Sequence, residues 1–129
     1  MRVLLDTHCW LWMQAESSRL SRPTRALLQD PDNQIFLSAA SSWEIAIKYA
    51  LGKLPLPAPP MEYVLSRMET SGTSPLPVQH SHALHAGSLP RHHADPFDRL
   101  LIAQAQLENL QILTADGQFE AYKVKLLSP

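Results

Sequence analysis

The stretch MRVLLDTHCWLWM, residues 1–13, decides how the rest of the chain is read. Arg2-Val3-Leu4-Leu5 is a short apolar run of the kind that forms a buried strand, and it stops at a carboxylate, Asp6. Thr7 to Gln14 then brings Trp10, Leu11, Trp12 and Met13, a short helix able to fold back onto that strand. Outward from there the same order returns. Pro23 to Gln29 reads as a helix with proline at an early position, and the Asp30-Pro31-Asp32-Asn33 cluster as a turn. Ile35-Phe36-Leu37 is the next strand. Ala39 to Leu51 is a helix with Trp43, Ile47 and Ala50 at i, i+4 and i+7, and Gly52 at its stop.

Leu54 to Pro60, with four prolines, reads as a rigid crossover because neither flank is long enough to fold alone. Met61 to Met68 resumes helical spacing. Ser74 to Val78 is a short extended piece weakened by Pro75 and Pro77, and Ser81 to Gly87 a short helix. Asp95-Pro96-Phe97-Asp98 opens a long helix through Glu108, with Asp95 as N-cap and Pro96 as first helical residue. Gln111 to Thr114 is a strand, Asp116-Gly117 a turn, and a short helix near Phe119 leads to a last strand over Val124 to Leu127. Alternating strands and helices predict an α/β class with a mostly parallel sheet. Right-handed crossovers then carry the C-terminal ends of all its strands to one edge, where ligands of such sheets bind.

At 129 residues the chain fits one domain over 1–129, and 45% hydrophobic with 18% charged residues is ordinary for a globular protein. The net charge of −1 gives no global pull on a polyanion, which disfavours a simple nucleic-acid-binding module. Cys9 is the single cysteine, so no intramolecular disulfide forms, as suits a reducing compartment. No run approaches the ~18 apolar residues of a membrane span, and Asp6 makes the N-terminus a poor secretory signal. The expectation is a cytoplasmic protein without a membrane partner.

Four acids fall at the predicted edge. Asp6 is the first residue past strand one, Glu44 lies early in the helix after strand two, Asp98 sits in the first turn of the long helix, and Asp116 follows Thr114. Each has an ordinary reading alone: a strand-end turn, a solvated helix acid, a capping partner of Asp95, and a turn pair with Gly117. Together they repel and raise one another's pKa unless a cation offsets them. A hard divalent ion with oxygen ligands, Mg²⁺ or Mn²⁺, is the natural partner, and metal-activated water acting on a phosphodiester the natural chemistry. The absence of a glycine-rich phosphate loop and of any Ser-His-Asp or Cys-His pattern argues against nucleotide triphosphate use and covalent catalysis.

Four blocks carry a resemblance: LLDTHCWLW (4–12), SAASSWEIAIK (38–48), HHADPFDRLLIAQA (92–105) and ILTADGQFEAY (112–122). In this order, across nearly the whole chain, they resemble the PIN-domain ribonuclease toxins of the VapC type. The resemblance implies a PIN-like three-layer α/β/α sandwich and Mg²⁺- or Mn²⁺-dependent endoribonuclease activity. It also implies homodimerisation, and inhibition by a cognate DNA-binding antitoxin in a type II toxin–antitoxin pair. It carries the first acid onto Asp6, the second onto Glu44, the third onto Asp98 and the fourth onto Asp116. Thr7 and Thr114 match small hydroxyl positions that hydrogen-bond the acids, and Asp95 is left as a supporting residue or alternative ligand. Where many relatives have Asn near the first acid, this chain has His8 and Cys9, which leaves the local hydrogen bonding open.

Other features have blander readings. His80, His82, His85 and His92-His93 form no zinc pattern, and structural or solvated roles are expected, with a place near substrate as the sharper reading for His92 and His93. Trp10, Trp12 and Trp43 are read as core or dimer interface before base stacking. Arg19, Arg22 and Arg25 read as a solvated face, with RNA contact the alternative. Arg99 either orients Asp98, meets phosphate or pairs on the surface. The rival functions are a phosphohydrolase acting on DNA, and a binding protein that kept the fold without activity.

Overall fold

The computed structural model describes residues 1–129. Five strands, β1 (Arg2–Leu5), β2 (Gln34–Ser38), β3 (Ser74–Leu76), β4 (Gln111–Leu113) and β5 (Leu126–Leu127), form a sheet in the order β3-β2-β1-β4-β5. Every pairing is parallel, with Val3 beside Ile35 and Leu5 beside Leu113. Six α-helices connect them: α1 (Thr7–Ala15), α2 (Arg22–Gln29), α3 (Ala39–Ala50), α4 (Pro60–Ser71), α5 (His80–Ser88) and α6 (Pro96–Glu108). The parallel sheet is the one expected from the alternating elements, and the α/β/α sandwich the one implied by the family resemblance.

Strand periodicity explains the three layers. Val3 and Leu5 of β1, with Ile35 and Leu37 of β2, face a cluster that includes Trp10, Leu28, Ile45 and Val64. Leu4, Phe36 and Ile112 face the opposite way, onto Leu101, Ile102, Ala105 and Phe119. Both faces of the central strands are therefore dry, which is why they read as continuous apolar runs rather than alternating ones. β1 sits in the middle. The chain builds outward from it through β2 and β3, then returns to its other side with β4 and β5. The gap between the C-terminal ends of β1 and β4 is thus the switch point at which α/β sheets bind ligands.

Several boundaries differ from expectation. β5 is only Leu126–Leu127, because Tyr122–Lys125 runs as a tight return in which the Val124 N–H donates to Tyr122 O. β3 stops at Leu76, and Pro75 is accommodated because β3 is an edge strand. α5 starts at His80, and a 3₁₀ turn at Ser17–Arg19, which the spacing does not announce, joins α1 to α2. Asn109 ends α6 in the left-handed region, φ 56°, where a short polar side chain is tolerated.

Ile112 is fully buried at the centre of this arrangement, whereas Leu84 is 76% exposed. Ile112→Ala is expected to cost about 2–5 kcal/mol of unfolding free energy by urea titration, and Leu84→Ala under about 0.5 kcal/mol. Similar losses for both would contradict the two-faced core.

Candidate metal centre and its hydrogen-bond frame

Asp6 ends β1 and caps α1. Its Oδ1 accepts the Cys9 N–H at 2.7 Å, and its Oδ2 accepts the Thr114 hydroxyl at 2.5 Å. These two bonds resolve the local pattern around the first acid: the backbone of Cys9 and the hydroxyl of Thr114 hold it. The buried Cys9 thiol lies against the same carboxylate, and burial, with the Asp6 charge second, pushes it well above the ordinary thiol range. Cys9 is an inert packing residue.

Thr114 also accepts the Asp116 N–H at 3.0 Å, so one hydroxyl ties the end of β1 to the loop after β4. Asp116 in turn caps the 3₁₀ turn Gly117–Ala121 by accepting the Gln118 N–H. Glu44 is buried on α3, and the Thr7 hydroxyl donates to its Oε1 at 2.6 Å. Its Oε2 meets the Lys48 ammonium at 2.9 Å one turn on. Thr7 and Thr114 therefore occupy the hydroxyl positions expected beside the acids. Asp95 caps α6, its Oδ1 accepting the N–H groups of Phe97 and Asp98, so its expected capping role is the one its geometry serves.

Asp98 lies in the first turn of α6 and is joined to Asp116 by His93, which the sequence offers only as one of a pair with His92 that could lie near substrate. His93 Nε2 donates to Asp98 Oδ2 at 2.7 Å and lies 3.7 Å from Asp116 Oδ2. Ligand atoms of His93, Asp98 and Asp116 all fall within 4.8 Å of one another. Its place five residues before Asp98 is the sole sequence signal, and His92 beside it carries an equal one. His92 turns instead to Tyr122, ring against ring at 5.3 Å.

Burial is the main force on Asp98, and the charges of Asp95 and, more weakly, Glu44 add to it. Against the opposing hydrogen bond from His93 they push its carboxyl up to about 6. That shift is mainly the cost of holding a charged carboxylate out of water, with neighbouring acids adding to it. The groups present are carboxylate oxygens plus one imidazole, and they suit a hard divalent cation. The groups brought close together are His93, Asp98 and Asp116; Asp6 is tied to the Asp116 backbone through Thr114, and Glu44 is held by Thr7, the residue after Asp6.

His82 and His85 are structural. His82 is buried, accepts the Gln79 N–H at Nδ1 and meets Glu108 at 2.8 Å, while His85 meets Gln106 at 2.6 Å; both join α5 to α6. Trp10 is fully buried and donates to Thr73, and Trp12 is half-buried beneath Arg19, which also pairs with Glu16. Trp43, by contrast, is 65% exposed, edge-on to Phe97 at 5.5 Å. The largest cavity, about 650 Å³, lies away from the acids, among Arg2, Lys123 and Lys125. There Arg2 donates to the α6 carbonyl of Glu108, so it serves a helix end.

Comparison with known proteins follows from this geometry. Residues 3–125 match the family model described as the PIN domain. The chain belongs to the PIN domain family. Over 62 residues it is 61% identical to Ribonuclease VapC16 of Mycobacterium tuberculosis (strain ATCC 25618 / H37Rv), a match spanning 48% of this chain and only 44% of that relative. Ribonuclease VapC22 of the same organism is 29% identical over 124 residues, 94% of this chain and 92% of the relative. Among solved structures, VapBC2 from Rickettsia felis bound to a promoter DNA fragment aligns with a TM-score of 0.73 at 18% identity, covering 99% and 98% of the two chains. VapBC-1 from nontypeable Haemophilus influenzae aligns at 0.68 and 16%, with the same coverage. These structural likenesses show the fold.

The raised Asp98 of this PIN domain has a consequence for stability. Unfolded, the carboxyl titrates near 3.8; folded, near 6. The folded state holds the proton more tightly, so metal-free protein loses stability as pH rises through this window. In chelator, Asp98→Asn is expected to be more stable than the parent above pH 6, by about 1–3 kcal/mol, with the difference gone below about pH 4. Thermal melts across pH check this, and parallel curves for the two proteins would contradict it.

Proposed function

We propose that residues 1–129 form one nuclease unit, a metal-dependent endoribonuclease serving as the toxin of a type II toxin–antitoxin pair. What supports this reading is the grouping of Asp98 and Asp116 around His93, beside the Asp6–Thr114–Asp116 and Thr7–Glu44 hydrogen bonds, in segments that follow the parallel strands. The names of the ribonuclease relatives supply the substrate, and the antitoxin complexes among the structural neighbours supply the partner.

These four carboxylates would hold Mg²⁺ or Mn²⁺, which supplies Lewis-acid stabilisation of the in-line displacement at phosphorus and an acidified water as nucleophile. The chain's own residues do the positioning. Thr114 and the Cys9 N–H fix both oxygens of Asp6, Thr7 fixes Glu44, and His93 fixes Asp98 while standing next to Asp116. Lys48 partly neutralises Glu44. Hydroxyl and N–H partners orient the carboxylates without themselves competing as bases. No side-chain nucleophile is required.

The setting completes the reading. No helix is long and apolar enough to cross a membrane, and the free buried Cys9 suits a cytoplasmic protein. Exposed Trp43, Met61, Leu65 and Leu84 offer apolar surface to a second copy of the chain and to the antitoxin.

Purified protein incubated with single-stranded RNA and Mg²⁺ or Mn²⁺ is expected to cleave it, with cleavage lost in chelator and a matched DNA left intact. Asp6→Asn, which preserves the cap on α1, and Asp98→Asn are expected to reduce turnover to below about one-hundredth. Wild-type turnover in either variant would overturn the site. Preferential DNA cleavage would overturn the substrate, and intact RNA with no Mn²⁺ uptake would overturn the enzyme.

A further inference from the structure

Arg99 follows Asp98, yet its guanidinium meets no carboxylate and does not reach outward. Nη1 donates to Pro90 O at 3.0 Å, to His93 O at 3.3 Å and to the Tyr122 hydroxyl at 3.4 Å. Nη2 donates to Ala86 O at 2.8 Å and Leu89 O at 3.0 Å. Both terminal nitrogens are thus occupied by the end of α5 and the loop after it, so neither phosphate contact nor surface pairing describes this residue. The planar fork suits several fixed acceptors at once, and a cation at the carbonyl end of a helix is favoured by the dipole.

Tyr122 closes the same loop from the other side. Its hydroxyl donates to Pro90 O at 2.8 Å and accepts the buried His93 N–H at 2.9 Å. The loop over residues 89–95 contains no helix or strand, so its backbone groups find partners in these two side chains. It also carries His93, whose ring is 9% exposed and packs edge-on to Phe119 at 6.2 Å while reaching Asp98. One residue, His93, therefore has its N–H held by Tyr122, its C=O held by Arg99, and its imidazole directed at Asp98 and Asp116.

We propose that Arg99 and Tyr122 are positioning residues, a two-sided clamp on the loop that seats His93 against Asp98 and Asp116. The inference rests on the metal-dependent nuclease reading and goes beyond it: the clamp acts only through His93, and sets the orientation of Asp98 from 86–93 rather than from α6 itself. Loss of the clamp leaves the ligands in place but frees the imidazole, so turnover falls while RNA affinity holds.

The test is a mutant cycle with Arg99→Gln, Tyr122→Phe and His93→Ala, alone and in pairs, in the full chain. Three readouts are taken: kcat and KM on RNA, Mn²⁺ affinity by calorimetry, and the NMR signal of the hydrogen-bonded His93 Nε2–H. Tyr122→Phe keeps the ring and guards against misfolding of the arginine variant. Each clamp variant is expected to lower kcat about tenfold with KM changed less than about twofold, and to lose the Nε2–H signal. In the His93→Ala background the further loss of kcat should fall below about twofold, because residues acting through one group are not additive. Equal losses in both backgrounds, or an unchanged Nε2–H signal in folded Tyr122→Phe, would overturn the clamp. A wild-type chain that neither cleaves RNA nor takes up Mn²⁺ would instead overturn the reading beneath it.

Discussion

Charge resists burial in a dry place, and this chain buries or largely buries three carboxylates, Asp6, Glu44 and Asp98, in the segments that follow its parallel strands. Asp6 and Glu44 are 6% and 5% exposed, and Asp98 is driven toward its protonated form by that confinement. Surroundings as apolar as the two core clusters penalise bare charge heavily, so the fixed donors around these acids matter. Everything that distinguishes the site from an ordinary sheet edge serves that balance: the threonine hydroxyls, the helix starts, Lys48 and His93.

The fold supplies part of the balance by direction alone. In an all-parallel sheet the strands end together and the following helices begin together, so acids at those junctions meet partially positive helix ends. Asp6 caps α1, Asp98 occupies the first turn of α6, and Asp116 caps the 3₁₀ turn after β4. Glu44, one turn further along α3, lacks a cap position and has Lys48 instead. Thr114 links the two strands flanking the switch point, through Asp6 on one side and the Asp116 N–H on the other. Fold and site share these bonds, so the site is not an ornament on a finished scaffold.

How much of this is legible in the sequence depends on the range of the interaction. The strand at Arg2–Leu5, the cap at Asp95 and the helix starts are local patterns, and the acids could be placed because parallel topology converts strand ends into neighbours. Thr7 and Thr114 were legible through the family resemblance. His93 is legible only as an undivided pair with His92, since its contact with Asp98 depends on a loop held by Arg99 and Tyr122, a bond pattern with no periodicity. Arg99 shows the same limit: beside Asp98 in sequence it looks like that acid's partner, while in space it serves five acceptors elsewhere. The shortened β5 and the 3₁₀ turn at Ser17–Arg19 escape for a similar reason, being set by packing and not by propensity.

The proposed binding of a divalent ion by these acids is tested most directly by diffraction. A crystal of the chain soaked in Mn²⁺ and measured at the manganese absorption edge should give an anomalous peak about 2.1 Å from carboxylate oxygens of at least two of Asp6, Glu44, Asp98 and Asp116. A well-ordered map with those oxygens in place and no peak among them, or with manganese bound only elsewhere, would contradict it.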